Sequence, residues 1–131
     1  MRKYSILYTA FVLIALLAVV NFFALSFYLY WTIWWLDNAV HFLGGFSLGF
    51  FMLYIFSESG FFGNNLSFSK AIFLSFVAVM MAGGAWEVFE YANGLTDSVE
   101  NYALDVVHDL LFDALGVILA LLVAKRFLKF S

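Results

Sequence analysis

Acidic side chains and histidines interrupt the long apolar runs of this 131-residue sequence. Carboxylate and imidazole groups bind divalent cations, and inside a membrane they also carry protons. No Lys or Arg lies inside these runs, so a salt bridge to a basic side chain is excluded, except through the histidines. Protonation, a bound cation or a water-filled cavity remain as explanations. The residues are Asp37, His41, Glu87, Glu90, Asp105, His108, Asp109 and Asp113.

The spacing of these residues places them on three helix faces. Asp37 and His41 are four positions apart and Glu87 and Glu90 are three apart, which are the spacings of neighbours on one face of a helix. The third group covers about 140° of a helix at 100° per residue. It consists of Asp105, His108, Asp109 and Asp113.

Glycines accompany each of these polar stripes. Small residues let membrane helices approach closely, so we expect the glycines to be packing residues that bring the three stripes together. They are Gly44, Gly45, Gly49, Gly83, Gly84 and Gly116.

Composition indicates that the helices carrying the stripes cross a membrane. The sequence is 66% hydrophobic and 11% charged, whereas soluble domains are about a quarter charged. A spanning helix needs about 20 apolar residues, so 131 residues leave room for about four spans. We therefore predict an all-α polytopic membrane protein with a bundle of four transmembrane helices. The whole chain, residues 1–131, would form one domain. The net charge of −3 argues against nucleic acid as a partner, and the lack of cysteine excludes thiolate ligands. The predicted spans are residues 4–30, 36–56, 70–92 and 102–123.

The basic residues predict the orientation of these spans. All six Lys and Arg fall on one side of the proposed topology, and basic residues concentrate in cytoplasmic loops. We therefore expect a multi-pass protein with both termini in the cytoplasm. The polar stripes would then lie roughly 2 to 15 Å below the outer interface, at about 1.5 Å per residue from the span ends.

Two of the acids also have structural interpretations. Asp37 opens the second span, where an Asp can cap the helix. Asp105 lies in the first turn of the fourth span, where a negative charge suits the helix dipole.

The leading functional hypothesis is a metal centre. Six carboxylates cannot all be ionised in a low-dielectric site without counter-charge, and two divalent cations would balance four of them. The mixed carboxylate and imidazole set suits Zn, Mn or Fe, whereas Mg or Ca would suit an oxygen-only subset. Four-helix bundles with dimetal sites use comparable ligands, although their Glu-x-x-His motif is absent here. The predicted ligands are His41, Glu87, Glu90, His108, Asp109 and Asp113.

The remaining roles and the alternatives stay open. Asp113 could instead support a ligand, and Asp37 or Asp105 would orient a histidine or handle protons. The protein would be a metalloenzyme acting on a lipid-linked or envelope substrate at the outer leaflet, with no catalytic residue assigned. The alternatives are a proton or cation translocator, and a structural membrane protein whose polar core fixes helix packing; a homo-oligomer is compatible with each.

Three short motifs resemble a known family across residues 37–116. The sequence is similar to the bacterial YjdF-type membrane proteins of unknown function, and more distantly to VanZ-like proteins, whose namesake is associated with teicoplanin resistance. The resemblance implies a protein of the cell membrane of a bacterium or archaeon, without an established reaction. The motifs are Asp37-x-x-x-His41-Phe42-x-x-Gly45-Phe46, Glu87-x-x-Glu90-Tyr91 and Asp105-x-x-x-Asp109.

Overall fold

All regular secondary structure in the described part of the chain is helical. The computed structural model describes residues 2–63, 66–95 and 101–127. Apart from the short α2, each helix is long and apolar enough to cross a membrane, which confirms the predicted all-α class with four candidate spans. The helices are α1 (Arg2–Ser26), α2 (Leu29–Thr32), α3 (Leu36–Ser57), α4 (Phe68–Asn93) and α5 (Tyr102–Phe127).

Helix α3 is the centre of the bundle. It contacts α1, α2, α4 and α5, and its contact with α5 is the most extensive in the molecule. Within the described ranges, α1 contacts α2 and α3 but neither α4 nor α5. Large side chains on α1, such as Tyr8, Phe11 and Phe22, are exposed, as expected of a helix that faces lipid on most of its circumference.

Glycines bring the backbones of α3 and α5 into direct contact. A Cβ on Gly45 would overlap the backbone of Asp113, and a Cβ on Gly116 would overlap the backbone of Phe42 and Phe46. One turn farther along, a Cβ on Gly49 would lie 2.9 Å from Cβ of Ala120. The contacts advance along both helices in the same direction, so α3 and α5 run parallel. The predicted packing role of these three glycines is confirmed.

The other glycines differ from one another. A Cβ on Gly83 of α4 would overlap the side chain of Asp113, so this glycine also permits a close helix approach. Gly44 has only ordinary contacts at 3.9 Å, and Gly84 faces open space. Gly84 therefore does not have the packing role that was expected of it, as far as the described residues show.

The ends of the helices differ in part from the hydropathy pattern. Helix α4 ends where predicted, since Gly94 adopts the left-handed conformation (φ 66°) and the Leu95 amide donates to the Glu90 carbonyl. The first span was expected to reach residue 30, but α1 ends at Ser26 and Tyr28 has φ 55° before α2 begins. Hydropathy does not register this break because the residues on both sides of it are apolar.

The α3–α5 contact leads to a stability prediction. Replacing Gly116 with Ala should destabilise the protein by about 1–3 kcal/mol, because the new methyl group must push two touching backbones apart. Gly84→Ala is the matched control, since its Cβ meets open space and helix propensity favours Ala. Thermal unfolding of the purified variants in detergent, followed by circular dichroism, measures both. Equal melting temperatures for the two variants would contradict the packing described here.

Candidate metal centre

His41 is the point at which the three polar stripes meet. Its imidazole is buried, and Nε2 lies 3.7 Å from Oε1 of Glu87 on α4 and 3.8 Å from Oδ2 of Asp109 on α5. Nε2 is also 3.9 Å from Oδ1 of Asp37, one turn earlier on α3. Carboxylates from all three helices therefore surround a single ring nitrogen.

The other ring nitrogen of His41 has a partner of its own. Nδ1 lies 3.3 Å from Oδ2 of Asp113, a carboxylate that can only accept a hydrogen bond when it is ionised. With the hydrogen on Nδ1, His41 donates to Asp113 and the lone pair of Nε2 is directed at the other carboxylates. This is the arrangement in which metal-binding histidines are oriented by a supporting carboxylate.

Two carboxylate oxygens in this cluster are buried without a hydrogen-bond partner in the described part of the chain. They are Glu87 Oε1 and Asp109 Oδ2, the same atoms that lie nearest to Nε2. Burying an ionised carboxylate without a partner is costly, and the great majority of buried polar atoms in proteins are paired. A cation beside either oxygen would satisfy that oxygen and the lone pair of Nε2.

The cluster has the dimensions of a cation site. Two overlapping sets of donor atoms lie within 4.8 Å of one another: Asp37, His41 and Asp109, and His41, Glu87 and Glu90. Ligand distances of about 2.0–2.2 Å place neighbouring donors roughly 3.0–3.5 Å apart. The observed 3.7–3.9 Å separations from Nε2 exceed this range by a few tenths of an ångström, which small side-chain movements can close.

The cluster is open at one end. The Asp109 and Glu87 side chains are 2% and 5% exposed, whereas Asp37 is 39% exposed. Asp37 lies in the first turn of α3, and the N-cap position is occupied by Trp35, whose side chain forms no capping hydrogen bond. Asp37 is therefore not the N-cap of this helix. Glu90, near the end of α4, is half-buried. Access from water is therefore from the end of the bundle where α3 begins.

The structure separates the predicted site residues into three groups. His41, Glu87, Glu90 and Asp109 contribute donor atoms to the two sets, together with Asp37, for which only a supporting role was expected. Asp113 is on the opposite side of the imidazole. His108 and Asp105 belong to neither set among the described residues; the assignment of His108 as a ligand stays a prediction.

A hydrogen bond beside the mouth of the cluster was missed at the sequence level. The Tyr30 hydroxyl, in α2, donates to Oδ1 of Asn21 in α1 at 2.6 Å. Burial raises the pKa of the Tyr30 phenol, and the charges of Asp37 and Glu90 raise it further, so the hydroxyl stays protonated and remains a donor. The available signal was Asn21 itself, a strongly polar side chain within an apolar span.

This bond leads to a second prediction. Tyr30→Phe should destabilise the protein by about 0.5–1.5 kcal/mol, because it removes the donor and leaves the Asn21 amide oxygen unpaired. Tyr28→Phe, at an exposed neighbour, is the control and should be nearly neutral. A double-mutant cycle with Asn21→Ala, measured as unfolding free energies in detergent, isolates the pair. A coupling energy of zero would contradict the hydrogen bond.

Comparison with known proteins agrees with the membrane-spanning character of the helices. No curated protein and no solved structure matches the chain. A family model described as "Predicted membrane protein (DUF2238)" matches residues 1–130, which fits the resemblance to a YjdF-type membrane family; the more distant VanZ-like resemblance stays a prediction. The chain therefore belongs to the DUF2238 family of predicted membrane proteins.

Proposed function

We propose that this protein binds a divalent cation inside the membrane, at His41 and the carboxylates that surround it. The convergence of Glu87 Oε1 and Asp109 Oδ2 on His41 Nε2, with both oxygens buried and unpartnered in the described chain, carries the proposal. From the open end of the cluster, Asp37 would complete the coordination with Asp109, and Glu90 would complete it with Glu87.

The donor set indicates the class of ion. Each set of donors offers one imidazole nitrogen and two carboxylates, with no thiolate, which favours Mn, Fe or Zn; Mg and Ca prefer oxygen-only sites. One divalent cation would leave part of the negative charge of the four carboxylates in the two sets uncompensated, and a second would balance it. A water molecule on such an ion becomes a nucleophile near neutral pH, which is the basis for proposing hydrolysis of a lipid-linked or envelope substrate.

The buried polar groups outside the cluster argue against the translocator. The hydroxyls of Ser47 and Ser75 donate to the carbonyls of Leu43 and Ala71, one turn earlier in their own helices. They are therefore already committed to the backbone. The remaining core, in the half of the bundle opposite the cluster, is apolar, as at Leu53. A proton or ion relay across the membrane needs a chain of polar groups, and this core does not supply one within the described residues.

The basic residues support a proposal for the location and orientation of the protein. With the six Lys and Arg on the cytoplasmic side, both termini are cytoplasmic and the cluster opens toward the outer face of the cell membrane. Its partners are then the lipid bilayer and a substrate held at the outer leaflet.

Metal binding provides the direct test. Purified protein stripped with a chelator should bind Mn²⁺ or Zn²⁺ stoichiometrically in isothermal titration calorimetry. Saturating metal should raise its unfolding free energy, by about 2.7 kcal/mol at one hundred times the dissociation constant. Glu87→Gln and Asp109→Asn should each abolish tight binding. Glu58→Gln is the matched control, because Glu58 directly follows α3 at the opposite end of the bundle.

The stability of the same variants separates a metal site from a structural polar core. In chelator, Asp109→Asn should be at least as stable as the wild type, because the substitution neutralises a buried carboxylate whose Oδ2 has no hydrogen-bond partner in the described chain. If the cluster served packing alone, Asp109→Asn would destabilise the protein. Wild-type protein that binds no metal, with melting temperatures that are unchanged by metal, would overturn the proposal.

Asp113 provides a prediction about how the ligand His41 is oriented. Asp113→Ala should weaken metal affinity by about 10–100-fold, the usual effect of removing a carboxylate that orients a metal-binding histidine. Asp113→Asn keeps an acceptor for the Nδ1 hydrogen and should lie between Ala and the wild type. X-ray absorption spectra of the Mn-loaded protein should show the same number of ligands in all three. A lost oxygen ligand in Asp113→Ala would instead identify Asp113 as a ligand.

A further inference from the structure

An apolar groove lies between α4 and α5, in the half of the bundle opposite the candidate metal centre. That centre, the His41 cluster, consists of His41, Asp37, Glu87, Glu90 and Asp109. Near the middle of the membrane the two helices are close, because Gly83 leaves room for the Asp113 side chain. Toward the start of α4 and the end of α5, the helices enclose a groove of about 390 Å³. Its walls include Phe73 and Phe76 from α4 and Leu122 from α5.

The walls of the groove are not covered by protein in the described part of the chain. Phe73 is 64% exposed, Leu122 is 59% exposed and Ile118, which also lines the groove, is 45% exposed. The volume is within the range of roughly 300–1,000 Å³ that is typical of ligand sites. A ligand with an apolar chain therefore fits the groove by size and by chemistry.

One positive charge stands at the end of this groove. Lys125 lines it and is exposed, so its methylene stem can lie along the apolar wall while the ammonium group reaches the membrane interface. Its neighbour Arg126 and Lys70 at the start of α4 are also exposed. No acidic side chain in the described ranges pairs with Lys125, so its charge is available to a ligand.

We propose that this groove binds an anionic phospholipid, with one acyl chain between α4 and α5 and the phosphate group at Lys125. The apolar walls match the chain, and the ammonium group matches the negative headgroup. Because the groove shares no lining residue with the His41 cluster, this proposal is independent of metal binding.

Lipid selectivity in a reconstituted membrane tests the proposal. The protein is placed in phosphatidylcholine vesicles, and the association of spin-labelled phosphatidylglycerol is compared with that of spin-labelled phosphatidylcholine by electron paramagnetic resonance. The wild type should prefer phosphatidylglycerol, and Lys125→Gln should reduce this preference about fivefold. That ratio corresponds to the roughly 1 kcal/mol that one Lys contributes near an anionic lipid surface.

Two further variants control for general effects. Lys70→Gln removes a positive charge at the same end of the bundle but outside the groove lining, and it should keep most of the preference. Ile118→Trp should fill the groove from an already exposed position and lower the association of both lipids, while leaving the helix content by circular dichroism unchanged.

Each alternative outcome would overturn the proposal. Equal loss of preference in Lys125→Gln and Lys70→Gln would indicate a diffuse surface charge without a site. An undiminished preference in Lys125→Gln would exclude the headgroup contact. Cross-linking between Leu122→Cys copies that does not change with phosphatidylglycerol content would show that a second copy of the chain covers the groove.

Discussion

The direct contact between the backbones of α3 and α5 determines where every other group in the molecule lies. It exists because Gly45 and Gly116 lack side chains at the two positions where the helices touch. In a bilayer, apolar side chains gain little by leaving lipid for a helix interface, so close packing of small residues is a main source of helix association. His41 is one turn before Gly45, and Asp113 is the residue whose backbone Gly45 contacts. The helix contact therefore sets the distance between imidazole and carboxylate.

The same contact holds carboxylates in a buried environment, where an ionised group without a partner is unfavourable. Asp109 and Glu87 are buried near His41, and each has an oxygen without a hydrogen-bond partner in the described chain. Polar contacts between membrane helices contribute only about 0.6 kcal/mol each on average. An assembly of acids is therefore a poor way to stabilise a bundle whose glycines already pack closely. Apolar packing must offset the cost of the acidic cluster.

Periodicity predicted most of the fold and the composition of the site, but not the roles of its residues. Spacing at 100° per residue identified the polar face of each helix, and hydropathy identified the four spans. Neither gives the rotation of one helix relative to its neighbours, which is set by contacts such as those at Gly45 and Gly83. That rotation places Asp37 among the donor atoms and Asp113 behind the imidazole. No pattern within a single helix could distinguish these two positions.

The local interactions that the sequence did not predict depend on contacts between segments. Tyr30 and Asn21 are nine positions apart and meet because the chain turns at Tyr28, which adopts a left-handed conformation that residues other than glycine rarely take. The turn at Tyr28 also explains why α1 ends at Ser26. Hydropathy averages over windows longer than this turn, so it merged α1 and α2 into one span.

The helix ends around the cluster have electrostatic consequences of their own. Helices α3 and α5 begin at this end of the bundle, so the positive ends of their dipoles face Asp37 and Asp105 and partly compensate these acids. Helix α4 ends there, and the negative end of its dipole lies on the same side as Glu87 and Glu90. The glutamates on α4 therefore receive no such compensation, and α4 provides no Lys or Arg in its last turn. Of the three stripes, that of α4 is the one for which a cation would relieve the most repulsion, and Glu87 of this stripe carries one of the two unpartnered buried oxygens.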